Sequence, residues 1–384
     1  MAFGKKNVVK LDPLAYSLCI LGEAKVGKST LIKEYCEKIA GEESYLFLEC
    51  GQERGADAIE GINYVNCPEW NYDYDEYTNS VGFADVINDI VENKETEYPN
   101  LKVVVIDTYD QLITLAEKES IRLYNKECRE KGQMDKVTKT INSAWGGFGR
   151  GERKAIDLMF DARAELLKVN VQVIWIGHVK TKEITDVVSG QTYQTLTSDQ
   201  QQNYFNALKK NLHFLALAYV DRDIVTEKQK NKIGQTTTVH KLKNETRKIK
   251  FRDDNYAVDS GSRFANIVPE ISMDVDEFIK AITDAITAEA NNGSVSLEDR
   301  KKSEKIAEEA KEKEIAEKEI ERHAKNDSLA ELEAAKEKIK EFCMEHKGDK
   351  AALAQMIKKA KELGIKPLEV SNMDEANAIL EFCN

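Results

Sequence analysis

Gly22-Glu23-Ala24-Lys25-Val26-Gly27-Lys28-Ser29 fits the pattern G-x-x-x-x-G-K-[ST], and that pattern dictates what must surround it. Its two glycines let backbone N–H groups turn inward around an anion, and the motif has meaning only where a strand enters it and a helix leaves it. Both flanks are present: Tyr16–Leu21 reads as a buried strand, and Thr30–Ala40 as a helix closed by Gly41. The expected occupant is a nucleoside triphosphate. Lys28 is expected on its β- and γ-phosphates and Ser29 on Mg²⁺. The amides from Gly22 through Thr30 should line the phosphates, at the positive end of the helix.

Residues 14–290 alternate apolar runs with helical patterns, the order that builds a mainly parallel sheet with helices on its faces. Strand candidates are Tyr16–Leu21, Tyr45–Leu48, Val103–Ile106, Val171–Ile176 and Leu212–Tyr219; their continuous apolar character fits burial on both sides. Thr236–Leu242 and Arg247–Arg252 read as two shorter antiparallel strands at an edge, and 274–290 as a closing helix. After Asn291-Asn292-Gly293-Ser294 the composition turns to Glu, Lys and Ala. Within a linker and arm spanning 291–341, residues 298–341 predict a long charged helix, either a tether or a coiled-coil arm. Residues 342–384 regain apolar positions and predict a small helical module, with Gly364 ending one helix and Pro367 following.

Bulk properties narrow the classes. The 384 residues include no run of apolar residues long enough to span a membrane and no apolar leader after Met1, so a cytoplasmic protein is expected. Seven cysteines form no C-x-x-C pair and read as reduced, mostly buried thiols, and the five histidines are not at zinc-ligand spacing. A net charge of −12 argues against a strong general affinity for nucleic acid.

Three further pieces complete a candidate site. Val103–Ile106 ends in Asp107, a carboxylate placed to hold the water shell of Mg²⁺ beside the loop. Leu46-Phe47-Leu48-Glu49-Cys50-Gly51-Gln52-Glu53 leaves the second strand with two acids that could orient an attacking water, Glu49 and Glu53. Val173–Ile176 leads to His178 at the carboxyl edge of another strand, where it could sense the γ-phosphate or serve only structurally.

Together these motifs resemble the phage-encoded nucleotide-binding ATPases with a RecA-like core, an AAA-type group that includes phage single-strand-annealing recombinases. The residue after Asp107 is Thr108, as in the RecA-like branch, where many AAA-type ATPases place a Glu. Glu53-Arg54-Gly55, Trp145–Gly151, Ile176–Lys182, Tyr204–Ala207 and Asp259–Phe264 also look like that group. The resemblance, through Glu53-Arg54-Gly55, favours Glu53 as the acid that orients the water, and Glu49 is the alternative. The resemblance implies a RecA-like P-loop domain over 1–290 that binds ATP and Mg²⁺, self-associates, and acts on single-stranded DNA through the loops after Thr108 and His178.

Trp145, Phe148, Arg150, Lys180, Lys182, Tyr193 and Tyr204 offer aromatic faces and cations for bases, or merely pack loops onto the core. One of Arg247, Arg252 and Arg263 could enter a neighbour's site as an arginine finger, and Arg263 is the choice. Two other readings remain: a nucleotide-gated module whose helical tail recruits a protein partner, and a structural oligomer that needs ATP at its interface.

Overall fold

Five consecutive buried residues, Leu18 to Gly22, make the strand on which everything else is arranged. The computed structural model describes residues 8–185, 192–230, 236–252, 260–292, scattered positions in 298–313, then 332–344, 350–362, 370 and 372–381. In chain order the first unit contains β1 (Leu18–Gly22), α1 (Lys28–Ala40), β2 (Tyr45–Cys50), β3 (Tyr64–Cys67), α2 (Phe83–Glu92), β4 (Val103–Asp107) and α3 (Tyr109–Glu130). It continues with α4 (Arg150–Lys168), β5 (Gln172–Thr185), β6 (Thr192–Ser198), α5 (Gln202–Lys210), β7 (Phe214–Lys230), β8 (Thr236–Lys250), β9 (Gly261–Ser262), β10 (Glu270–Ser272) and α6 (Val275–Asn291).

The sheet runs β10-β8-β7-β1-β5-β4-β2-β3, with β6 added to β5 and β9 to β7. β1 is central, parallel to β5 (Leu18↔Ile174) and to β7 (Leu18↔Phe214). β4 and β2 continue the parallel set, β3 closes that side, and β8 and β10 are antiparallel. Alternate residues feed two apolar layers, as a strand's two-residue period requires. Leu18, Ile20, Val103, Val105, Ile174 and Ile176 face Ile32, Tyr35, Phe278 and Ile282 of α1 and α6. Cys19, Leu21, Val104, Ile106 and Trp175 face α2 through α5, including Ile87, Leu112, Met159 and Phe205. This is an α/β fold with a mostly parallel sheet flanked by helices, as the sequence predicts.

Several elements differ from the sequence expectation. The two short strands expected at 236–242 and 247–252 are one continuous strand, because β8 pairs with β7 from Leu217↔Lys250 to Lys230↔Thr236 across a single irregularity at Asp223/Ile224. The last residue of β7 that pairs with β1 is Ala218. Beyond it β7 and β8 run on as a two-stranded ribbon of about 40 Å at ~3.3 Å per residue. β5 likewise runs past His178 to Thr185 and folds back as β6, so a hairpin follows His178. Thr108 caps α3 directly, so a helix begins where a loop was expected.

The second unit spans 306–384. Its described helices are α7 (332–344), α8 (Lys350–Glu362) and α9 (Met373–Leu380). Leu332, Ala335, Ile339, Met356, Ala360, Val370, Ala376 and Ile379 form its own apolar cluster. The Asn372 side chain caps α9 by accepting from the Glu375 N–H. Most of the expected charged arm, and Gly364 and Pro367, lie outside the described residues. Among the described residues no helix is long and apolar enough to cross a membrane. Cys19, Cys36, Cys50, Cys67 and Cys128 are buried free thiols.

Candidate nucleotide site

The loop between β1 and α1 has the backbone that its glycines permit. Gly27, the residue before α1, has φ 107°, and Lys25 has φ 62°. A β-carbon on Gly22 would lie 2.6 Å from the Ala218 carbonyl oxygen, so no other residue fits between β1 and β7 there. Lys28 is buried, and its ammonium group turns back over the loop to donate to the carbonyls of Gly22 (3.2 Å) and Glu23 (2.9 Å). Burial pulls its pKa down, while Asp107, Asp110 and Glu53 oppose that pull. The Ser29 hydroxyl donates to Asp107 Oδ2 at 2.6 Å. Burial raises the pKa of Asp107, and the Ser29 hydroxyl and Lys28 work against it. Glu23, Ala24, Val26 and Thr30 complete the loop, with Val26 anchored in the core and Ala24 and Thr30 exposed.

The register then brings acids to the same edge. Glu49 is paired with Asp107 across β2 and β4, and Gly22 is paired with His178 across β1 and β5. The two candidate glutamates have different surroundings. Glu49 is buried, and its Oε1 accepts the Ala56 N–H at 2.5 Å, pinning the turn that follows β2. Glu53 is half-buried, its Oε1 3.9 Å from His178 Nδ1, and its side chain keeps partial access to solvent. Burial raises its pKa, with the His178 ring opposing.

One residue of this cluster was given no role by the sequence reading. Asp110, in the first turn of α3, accepts the backbone N–H of His178 at 2.8 Å and lies 3.0 Å from its Nδ1; its other oxygen accepts from Gln200 Nε2 at 3.0 Å. It fixes the imidazole, and this hydrogen bond is the chief reason that the His178 pKa is raised, against burial and Lys28. No motif marks Asp110, because its partners come from positions 178 and 200.

The other predicted residues do not join the cluster. Arg263 lies at the amino-terminal edge of β7, where its guanidinium donates to the carbonyls of Leu212 (2.9 Å) and Lys210 (2.5 Å), whereas the P-loop is at the carboxyl end of β1. Tyr204 is core, its hydroxyl held by Glu117 at 2.6 Å. Trp145 packs its ring on Tyr124 and donates to the Ser120 carbonyl at 3.2 Å. Phe148 is the opposite case: it is 99% exposed, within a run with positive φ at Trp145, Gly146, Gly147, Phe148 and Gly149. Lys180 donates to the Asp199 carbonyl at 2.5 Å, Lys182 is exposed, and the Tyr193 side chain lies outside the described residues.

A phosphate-binding loop, a buried lysine over it, and a hydroxyl bonded to a strand-end aspartate define a P-loop nucleotide-binding ATPase. The chain belongs to the family described as AAA domain, whose model matches residues 14–264. Among solved structures it is similar to the KaiC-like protein PH0186 from the hyperthermophilic archaeon Pyrococcus horikoshii OT3. That similarity is 13% identity over 62% of this chain and 77% of that one, with a TM-score of 0.29. No curated protein matches the sequence.

Proposed function

We propose that this chain binds ATP with Mg²⁺ in the cleft above β1, hydrolyses it, and works as a self-associating phage protein on single-stranded DNA, in annealing-type recombination or replication. The observation that carries the nucleotide reading is the 2.6 Å bond from Ser29 to Asp107 beside a buried Lys28. A hydroxyl and a carboxylate already in contact, next to the amides of a glycine-bearing loop, are the donor set that a hard divalent cation and its phosphates require. Mg²⁺ bound there would neutralise charge on the β- and γ-oxygens.

The chain's own groups then have defined tasks. Lys28 leaves the Gly22 and Glu23 carbonyls for phosphate oxygens, exchanging neutral acceptors for charged ones. Glu53 takes the proton of the attacking water as the bond between the γ-phosphorus and the bridging oxygen breaks. Its raised pKa suits a base that must also release that proton. His178, held by Asp110, stands within reach of the same water and keeps Glu53 oriented.

The DNA step rests on Phe148, a fully exposed aromatic ring next to Arg150 on a glycine-rich loop, which supports stacking of bases on that face. The test is ATP turnover by the full chain with and without single-stranded DNA at two salt concentrations. Stimulation that fades with salt is expected, because phosphate contacts release counterions. Turnover unaffected by DNA would remove the DNA part of the proposal, and the absence of both nucleotide binding and turnover would remove all of it.

A further inference from the structure

The acids and His178 lie on one side of β1, over β5, β4 and the end of β2; the other side, over β7 and β8, holds arginines. Arg222 on β7 is engaged, with its guanidinium 3.5 Å from Glu23 and 3.7 Å from Glu245. Arg247 on β8 is exposed, and none of the described residues is an ion-pair partner or a side-chain hydrogen-bond partner for it. Its position is nevertheless close to the loop: a β-carbon built on Gly27 would lie 3.6 Å from one terminal nitrogen of Arg247 and 3.6 Å from Met273 Cε. The backbone holds the two together, since the Met273 N–H donates to the Arg247 carbonyl at 2.9 Å.

Electrostatically this is the wrong place for an unpaired cation. Gly27 is the residue before α1, so the guanidinium stands beside the positive end of a helix, where a cation is disfavoured unless an anion lies between. Resting on the nucleotide reading above, we propose that Arg247 is a phosphate ligand of its own chain's nucleotide, holding the nucleoside end of the polyphosphate, with Met273 as the apolar wall beside it. Topology sets which end. Asp107, Glu53 and His178 mark the γ-phosphate side of β1, so a nucleotide lying across the loop presents its α-phosphate and base towards β7 and β8. A contact to the α-phosphate is common to nucleoside di- and triphosphates, which separates it from a group that senses the γ-phosphate or is supplied by a neighbouring subunit.

The experiment is calorimetric titration of the full-length chain and of Arg247→Gln and Arg247→Lys with Mg-ATP and with Mg-ADP, at a protein concentration where light scattering shows monomer. Removing one charge-assisted contact should weaken both nucleotides equally, by about 10- to 100-fold, with the ATP-to-ADP ratio of Kd unchanged and partial recovery in Arg247→Lys. An exposed side chain should leave the nucleotide-free unfolding midpoint where it was, so a shifted midpoint with no change in affinity assigns Arg247 a structural role and overturns the inference. So does a loss confined to ATP, or affinity equal to that of the unmodified chain. If the unmodified chain binds neither nucleotide, the nucleotide reading itself falls; if it binds both and the variants match it, only the role of Arg247 falls.

Discussion

Glu49 is an acid that the fold holds in an unfavourable setting. It is 1% exposed, one oxygen is satisfied by the Ala56 N–H, and the other has no hydrogen-bond partner among the described residues. Burial is the main force that raises its pKa from an ordinary 4.5 to about 7, with the charge of Asp107 adding to it. The difference between those values, at about 1.4 kcal/mol per pH unit, is about 3 kcal/mol. Below pH 4.5 the group is protonated both folded and unfolded and has no effect. Between 4.5 and 7 only the folded chain keeps the proton, so stability falls as pH rises; above 7 the full cost is present. Glu49→Gln keeps a carbonyl oxygen for Ala56 and cannot ionise. Its advantage over the unmodified chain should therefore be small at pH 5 and grow to about 1–3 kcal/mol at pH 8, allowing for relaxation of the turn. Urea unfolding at pH 5, 6, 7 and 8 reads this through tryptophan fluorescence, since Trp70, Trp145 and Trp175 all lie in the first unit. A difference that stays flat with pH, or that grows towards acid, would refute the reasoning.

Lys28→Ala should weaken Mg-ATP by about 100-fold or more through the loss of charge-assisted contacts, whereas Glu53→Gln should bind normally and turn over about 10²- to 10⁴-fold more slowly; equilibrium binding and single-turnover kinetics separate the two, and the reverse pattern would reject the roles. Asp110→Asn should lower the His178 pKa, because the carboxylate is the chief cause of its elevation. Stability owed to that pair is present at acid pH and lost as pH rises through the folded pKa, so the variant's deficit should shrink in alkali, and NMR titration of the ring checks the pKa directly. Phe148→Ala should leave the unfolding midpoint unchanged, because the ring is 99% exposed. It should weaken single-stranded DNA by about 5- to 100-fold if bases stack there; fluorescence anisotropy with a labelled oligonucleotide decides it.

The loop, its strand and its helix were legible because their signals are local. Glycine spacing, an apolar run and a helix closed by Gly41 all lie within about thirty residues, and Asp107 could be found because an apolar run of that kind ends at a sheet edge. Glu49 and Glu53 could not be separated in this way: both leave the same strand, and only the turn pinned on Ala56 makes one buried and the other accessible. Trp145 and Phe148 were equivalent as letters in one glycine-rich stretch, yet one ring packs on Tyr124 and the other stands in solvent.

By itself, then, the sequence determined the chemistry that contiguous residues can make: an anion-binding turn, buried strands and a strand-end acid. Only the tertiary structure decided which distant groups meet. Asp110 touches His178 and Gln200, Arg247 reaches Gly27 across β7, and Arg263 is sent to the opposite edge. The reason is that strand order and register, which set those neighbours, arise from packing two apolar layers on one sheet and leave no periodic trace along the chain.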